Sequence, residues 1–136
     1  MLGLRIVVLL GLMIAVAGCS DDDEVGDGTM DPGPTPVSYA TQIQPIFDAE
    51  CVRCHGDGGS GSLDLRDGVS YGNLVGVRSA GYAPAQRVVA GDPVASVLHE
   101  KVARTGTFGT AMPPSTTLPA SEIALIRRWI EEGANP

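Results

Sequence analysis

The chain has 136 residues, 43% of them hydrophobic and 4% aromatic, with 18 glycines, 10 prolines, three cysteines and a formal charge of −7. That length allows one domain at most, and nine Lys and Arg against sixteen Asp and Glu supply no basic footprint for nucleic acid. Three cysteines cannot form a closed set of disulfides, so at least one has another fate.

Residues 1–18 carry one charge, Arg5, ahead of apolar runs from Ile6 to Leu10 and from Leu12 to Ala17. A positive start, an apolar run short for a bilayer span and small residues at the end predict a secretory signal peptide. It closes on Val16-Ala17-Gly18-Cys19, which resembles the bacterial lipobox. The resemblance implies cleavage before Cys19 and a lipidated Cys19 thiol, and several acyl chains anchor stably where one binds only marginally. An ordinary signal peptide or an uncleaved anchor with an incidental cysteine is the competing reading. Ser20 follows Cys19 where some inner-membrane lipoproteins have aspartate, a hint toward the outer membrane.

Residues 19–37 run Cys-Ser-Asp-Asp-Asp-Glu and then alternate Gly, Asp, Thr and Pro. Too little here is apolar to offset the entropy of ordering, so a flexible tether is expected. It holds six acidic residues, Asp21, Asp22, Asp23, Glu24, Asp27 and Asp31, leaving ten acidic and eight basic residues in the rest of the mature chain. The acidity belongs to the tether, and like-charge blocks of this kind are solvated spacers more often than binding sites.

Residues 38–136 form the expected domain, with six aromatics and twelve glycines, a core that would be marginal unaided. Its first helix is read from Ile43, Ile46, Phe47 and Cys51 at helical spacing, with Pro45 tolerated if the helix begins near Thr41. Next comes Cys51-Val52-Arg53-Cys54-His55, the C-x-x-C-H spacing of c-type haem attachment. Two thiols about one helical turn apart reach neighbouring porphyrin vinyl groups, and the adjacent His55 is directed at the iron. A zinc site would need a fourth ligand, for which only His99 remains, and a thioredoxin-like pair would need a strand and helix alternation that is absent. With Cys19 lipidated and Cys51 and Cys54 in thioethers, no free thiol is expected.

Asp92 and Pro93 read as the cap and first residue of a second helix, with Val94, Val97, Leu98 and Val102 as its apolar stripe. His99 neighbours that stripe and is expected to be a partly exposed helix residue, a weaker rival for the second iron ligand. Met1 and Met13 leave with the signal peptide and Met30 lies in the tether, so Met112 is the methionine available to the iron. It stands before Pro113 and Pro114, whose rigidity suits a weak thioether ligand; filling a gap in the core is the alternative role for it. The last helix starts at Pro119, carries Glu122 in its first turn, has Ile123, Ile126, Trp129 and Ile130 as its apolar face, and ends at Gly133.

The segment Ile43 to His55, the Met112-Pro113-Pro114 loop and Leu125 through Ala134 resemble class I monohaem cytochromes c, of the kind found in planctomycete and related bacterial secreted proteins. Gly91, Asp92, Pro93, Ser96 and Leu98 match a further recurrent pattern of those domains. The resemblance implies an all-α, small class I cytochrome c-like helical fold wrapped around one covalent haem, with Cys51 and Cys54 as thioether sites, His55 as proximal ligand and Met112 as distal ligand. Phe47 and Trp129 match the aromatics at which the first and last helices of that fold cross. The small residue often found one turn before the first aromatic has no counterpart among Ile43, Gln44 and Pro45, so a looser or displaced crossing is expected. Which of Tyr71, Leu74, Tyr82 and Phe108 would touch the porphyrin is left open.

Motif and resemblance together imply a monomeric, lipid-anchored, periplasm-facing carrier of single electrons between redox partner proteins, and no enzyme. The alternative is a haem-based sensor or ligand-binding accessory module with a labile Met112; peroxidase-like catalysis would require a polar distal base that the chain does not offer.

Overall fold

The computed structural model describes residues 35–136. The expected signal peptide, Cys19 and most of the expected tether lie outside the described residues. Among the described residues no helix is long and apolar enough to cross a membrane.

Helix formation begins two residues earlier than the position of Pro45 suggests, and it begins as a π-turn. Tyr39–Ile43 forms five residues of π-helix, in which the Gln44 N–H donates to the Tyr39 carbonyl, and α1 (Gln44–Glu50) continues from it with Pro45 in its first turn. Pro45 has no N–H to donate, and the residue before it, Gln44, is where the wide π-type bonding hands over to α1. Ser38 closes the start by accepting the Thr41 N–H on its hydroxyl at 3.4 Å.

The remaining regular elements are also helices, separated by long irregular stretches: α2 (Ser70–Leu74), α3 (Val97–Val102) and α4 (Ala120–Glu131). Only isolated bridges pair extended residues, Val75 with Val88 and Arg78 with Gln86 among them, so no strand forms among the described residues. The all-α class expected from the sequence is what the described residues adopt.

In α4, Ile126, Trp129 and Ile130 are fully buried, as their spacing requires. The helix stops in a double bond pattern, Gly133 N–H to the Ile130 carbonyl and Ala134 N–H to the Trp129 carbonyl. This closure needs a left-handed residue after the cap, and Gly133 supplies it at φ +101°.

Phe47 and Trp129 are both wholly buried in one core, each worth roughly 1.5–3 kcal/mol by area removed from water. A third aromatic stands between them. Tyr39 lies 6.2 Å from the Phe47 ring and 5.1 Å from the Trp129 ring, centroid to centroid, and α4 packs on the π-turn that carries it. The crossing expected between first and last helices is thus displaced onto Tyr39–Ile43. Tyr39 also donates to the Ser70 hydroxyl at 2.6 Å, Ser70 bonds to Gln44, and Gln44 donates to the Leu65 carbonyl at 3.0 Å, tying α1, α2 and the intervening loop together.

Two expectations need correcting. Asp92 does not cap α3: its carboxylate accepts the Ala95 N–H at 2.9 Å and closes a turn, after which Ser96 is extended (φ −90°, ψ 116°) and α3 starts at Val97. The buried Ser96 hydroxyl accepts the Val89 N–H and donates to the Asp92 carbonyl, and these bonds hold the chain out of helix. Val94 therefore leaves the apolar stripe and is 71% exposed. The folded unit also takes in residues assigned to the tether: Val37 is buried, its N–H donates to Glu132 at 2.6 Å, and Arg128 donates to the Thr35 carbonyl at 2.8 Å.

Candidate functional site

Cys51 ends α1, and the chain turns at once. The N–H groups of Cys54 and His55 both donate to the Cys51 carbonyl, at 3.0 and 2.9 Å, so Cys51, Cys54 and His55 share one tight turn. The loop then folds back beneath it. Ser60 N–H donates to the Cys54 carbonyl and Leu65 N–H to the His55 carbonyl. Gly59 makes the close return possible, since a Cβ there would lie 2.6 Å from the Cys54 carbonyl oxygen.

That return places the Ser60 carbonyl 2.8 Å from His55 Nδ1. A carbonyl can only accept, so Nδ1 carries the proton and the lone pair of a neutral ring sits on Nε2. A ring held this way is oriented as a metal ligand is by its outer partner.

Met112 arrives from a separate stretch of chain. Its N–H donates to the Lys101 carbonyl at 3.0 Å, fixing it to α3. The Lys101 ammonium donates to the carbonyls of Phe108 and Thr110, both at 2.9 Å, and Arg104 donates to those of Pro113 and Thr116. Two cations thus brace the loop on both sides of Met112. Lys101 also donates to the Tyr82 hydroxyl at 3.1 Å and sits 4.6 Å from that ring's centroid.

These two constructions open onto the same space. Cys51, Cys54, His55 and Met112 all line one cavity of about 410 Å³, within the size range of small-molecule and cofactor sites. Leu63, Leu65, Leu74, Val97, Leu98 and Val102 make its walls apolar, and Tyr82 joins them. Of the four middle-segment candidates, Leu74 and Tyr82 line this cavity, whereas Tyr71 packs against Tyr39 and Phe108 against Tyr82.

The cysteines are unbridged. Burial, with Glu50, Glu122 and Cys54 adding to it, pushes the Cys51 thiol up to about 12. A thiol so hard to ionise is a poor catalytic nucleophile. Among the described residues no three His, Cys, Asp or Glu side chains converge to hold a metal ion, which leaves the zinc alternative without a ligand set.

His99 departs from its expected exposure: it is 8% exposed, with Nδ1 3.4 Å from Glu100 Oε1. It is not among the cavity-lining residues, because α3 turns Val97, Leu98, Lys101 and Val102 to the cavity instead. Glu100 faces the following loop, where Thr105 and Thr107 donate to its carboxylate at 2.7 and 2.8 Å and hold it below the usual carboxylate range.

The bracing pair Lys101 and Arg104, and Arg87 in the cavity wall, are not legible in the sequence. Their partners are backbone carbonyls, which leave no trace in residue spacing. Comparison of the chain with protein-family profiles, characterised proteins and solved structures finds none that matches.

Proposed function

We propose that this chain is a lipid-anchored, periplasm-facing c-type cytochrome that passes single electrons between redox partner proteins. The observation that carries the reading is the convergence of Cys51, Cys54, His55 and Met112, from two unconnected stretches of chain, on one apolar cavity. The residues present fit a covalent haem: two thiols in one turn, an imidazole whose Nδ1 is already engaged, and a thioether on a braced loop. When bound, haem supplies a ferrous–ferric couple.

The chain's own residues hold and shield it in this reading. Cys51 and Cys54 form the thioether links. His55 offers Nε2 to the iron, its ring orientation kept by Ser60. Met112 offers its sulfur, which favours the reduced state and raises the potential. Leu74, Leu98 and Val102 exclude water. With His55 and Met112 both holding the iron, a substrate would find no place on it, which would favour transfer of electrons over catalysis.

Envelope location and the lipid anchor rest on residues 1–19, and the tether gives reach between partners. The second reading, a sensor with a labile Met112, draws on the position of that residue in a loop without regular structure, its backbone bonded to α3 by a single N–H. An optical redox titration of the haem-loaded protein decides between them. A reversible one-electron couple with a methionine-to-iron charge-transfer band in the ferric state and no carbon monoxide binding supports the carrier. Absence of the band with rapid carbon monoxide binding supports the sensor.

A further inference from the structure

From Thr105 to Ala111 the chain runs between α3 and Met112 with no regular element and no buried residue. Gly106 and Gly109 take positive φ there, +85° and +69°. Glycines surrender more conformational freedom on ordering than other residues, so such a stretch needs polar ties to stay in one place. The end of α3 supplies them almost residue by residue. The Glu100 carboxylate accepts the hydroxyls of Thr105 and Thr107 at 2.7 and 2.8 Å, the Lys101 ammonium holds the carbonyls of Phe108 and Thr110, and the Lys101 carbonyl takes the Met112 N–H.

Glu100 is the unexpected member. It is 6% exposed, and among the described residues no Lys or Arg lies within ion-pair distance of it. Its two oxygens are divided: Oε2 takes both threonine hydroxyls, and Oε1 faces His99 Nδ1 at 3.4 Å, an atom with no hydrogen-bond partner among the described residues. Thr105 first, with Thr107 and His99 adding to it against the cost of burial, holds the carboxyl below the usual range and so ionised at neutral pH. A buried carboxylate is tolerated only where the bonds it accepts offset its lost hydration. Hydrogen bonds to an ionised acceptor are about twice as strong as neutral ones. Glu100 does not line the cavity, and both side chains bonded to its Oε2 belong to the loop that leads to Met112.

We propose that Glu100 is a positioning residue for Met112: through Thr105 and Thr107 it fixes the near half of the loop whose far half Lys101 holds, and so keeps the methionine sulfur at the iron. The inference rests on the function proposed above. Glu100 acts from outside the cavity, through the loop alone. With the two threonine ties cut, the freedom of Gly106 and Gly109 is opposed by the Lys101 bonds only. The Met112 sulfur then leaves the iron for a larger share of the time, and a diatomic ligand finds the position open.

The test uses the full haem-loaded chain and two double variants. Thr105→Val with Thr107→Val removes both hydroxyls at nearly constant volume, on residues whose exposure leaves the core untouched. Thr105→Ser with Thr107→Ser keeps the hydroxyls. In the valine pair the ferric methionine-to-iron band should weaken, the midpoint potential should fall, and carbon monoxide should bind the ferrous protein about tenfold faster or more, the factor expected for losing a hydrogen bond to a charged group. The serine pair should restore all three. A merely structural role would lower the denaturant midpoint of the valine pair and leave the band, the rate and the potential of the folded protein unchanged; that result overturns the proposal while the haem assignment stands. A serine pair as impaired as the valine pair also overturns it, because the methyl groups would then hold the loop. If the valine pair does not fold, Thr107→Val alone decides by the same three readings, and values equal to the unsubstituted protein overturn the proposal. A matured chain that carries no haem overturns the proposed function, and a haem-loaded unsubstituted chain without the band overturns the Met112 ligation; either takes the role of Glu100 with it.

Discussion

The Nδ1 of His55 donates to the carbonyl of Ser60 across 2.8 Å, and the residue between them that makes the approach possible is Gly59. One hydrogen bond therefore links the imidazole orientation to the absence of a single side chain. Any Cβ at position 59 would push the Cys54 carbonyl and Gly56 away, and Ser60 with them.

Gly59→Ala should cost about 1–3 kcal/mol of stability, the range for overpacking a tight site. Gly72→Ala, in α2 with open space around its Cβ position, should be neutral or stabilising by about 0.4–1 kcal/mol. Denaturant unfolding of both variants checks the contrast, and equal effects would count against the tight return beneath His55.

Lys101→Ala removes the ammonium bonds to Phe108, Thr110 and Tyr82 while keeping the backbone carbonyl that accepts from Met112. A stability loss of about 1 kcal/mol is expected. The more telling effect is on Met112: in the haem-loaded protein the ferric methionine-to-iron band should weaken and carbon monoxide should bind faster. Unchanged band and binding would show that Pro113 and Pro114 suffice to hold the loop.

Alkaline pH should unfold the domain through Tyr39. Burial pushes its hydroxyl from 10.0 to about 12. The folded state favours the neutral phenol, so this contribution is intact below about pH 10 and is lost as the pH rises through about 12. Tyr39→Phe should weaken that alkaline dependence and cost about 1 kcal/mol at neutral pH for the lost Ser70 bond. Unfolding midpoints followed together with tyrosinate absorbance test both parts.

At the acid end, the Val37 N–H and then the Arg128 guanidinium hold Glu132 below the usual carboxylate range. Such a group stabilises the fold above the ordinary carboxylate pKa, and the contribution disappears as the pH falls through its folded value. Asp64, bonded to Arg66, and Glu100, bonded to Thr105, act in the same direction. Glu132→Gln should therefore flatten the acid limb only in part, while making Thr35–Val37 more readily cleaved by protease at neutral pH. Unaltered cleavage would mean that Val37 is held by its burial alone.

What the sequence made legible follows the range of the forces involved. The apolar period of Ile123, Ile126, Trp129 and Ile130 and the stop at Gly133 are local, and α4 forms as they indicate. Cys51, Cys54 and His55 could be grouped by spacing and Met112 by elimination, and the structure brings all four to one cavity. The role of Tyr39 is not legible in the sequence because it bridges Phe47 and Trp129, a relationship with no period. The start of α3 falls later than Asp92 and Pro93 indicate because Ser96 bonds back to Val89, outside the helix pattern. His99 is buried where partial exposure is expected, because the stripe on α3 reports one face of the helix, whereas Thr105 and Thr107 draw the next loop over the other through Glu100. Arg87 carried no signal at all: a charged residue before Val88 and Val89 gives no sign that three carbonyls will enclose it.

The central claim is that Cys51 and Cys54 hold a haem covalently in the cavity they share with His55 and Met112. Intact-mass measurement of the chain, matured in a cell competent for c-type haem attachment and then denatured and extracted with acidic organic solvent, tests it most directly. The polypeptide should retain the mass of one haem, and neither Cys51 nor Cys54 should be alkylated. A chain of bare polypeptide mass with two alkylatable thiols at those positions would contradict it.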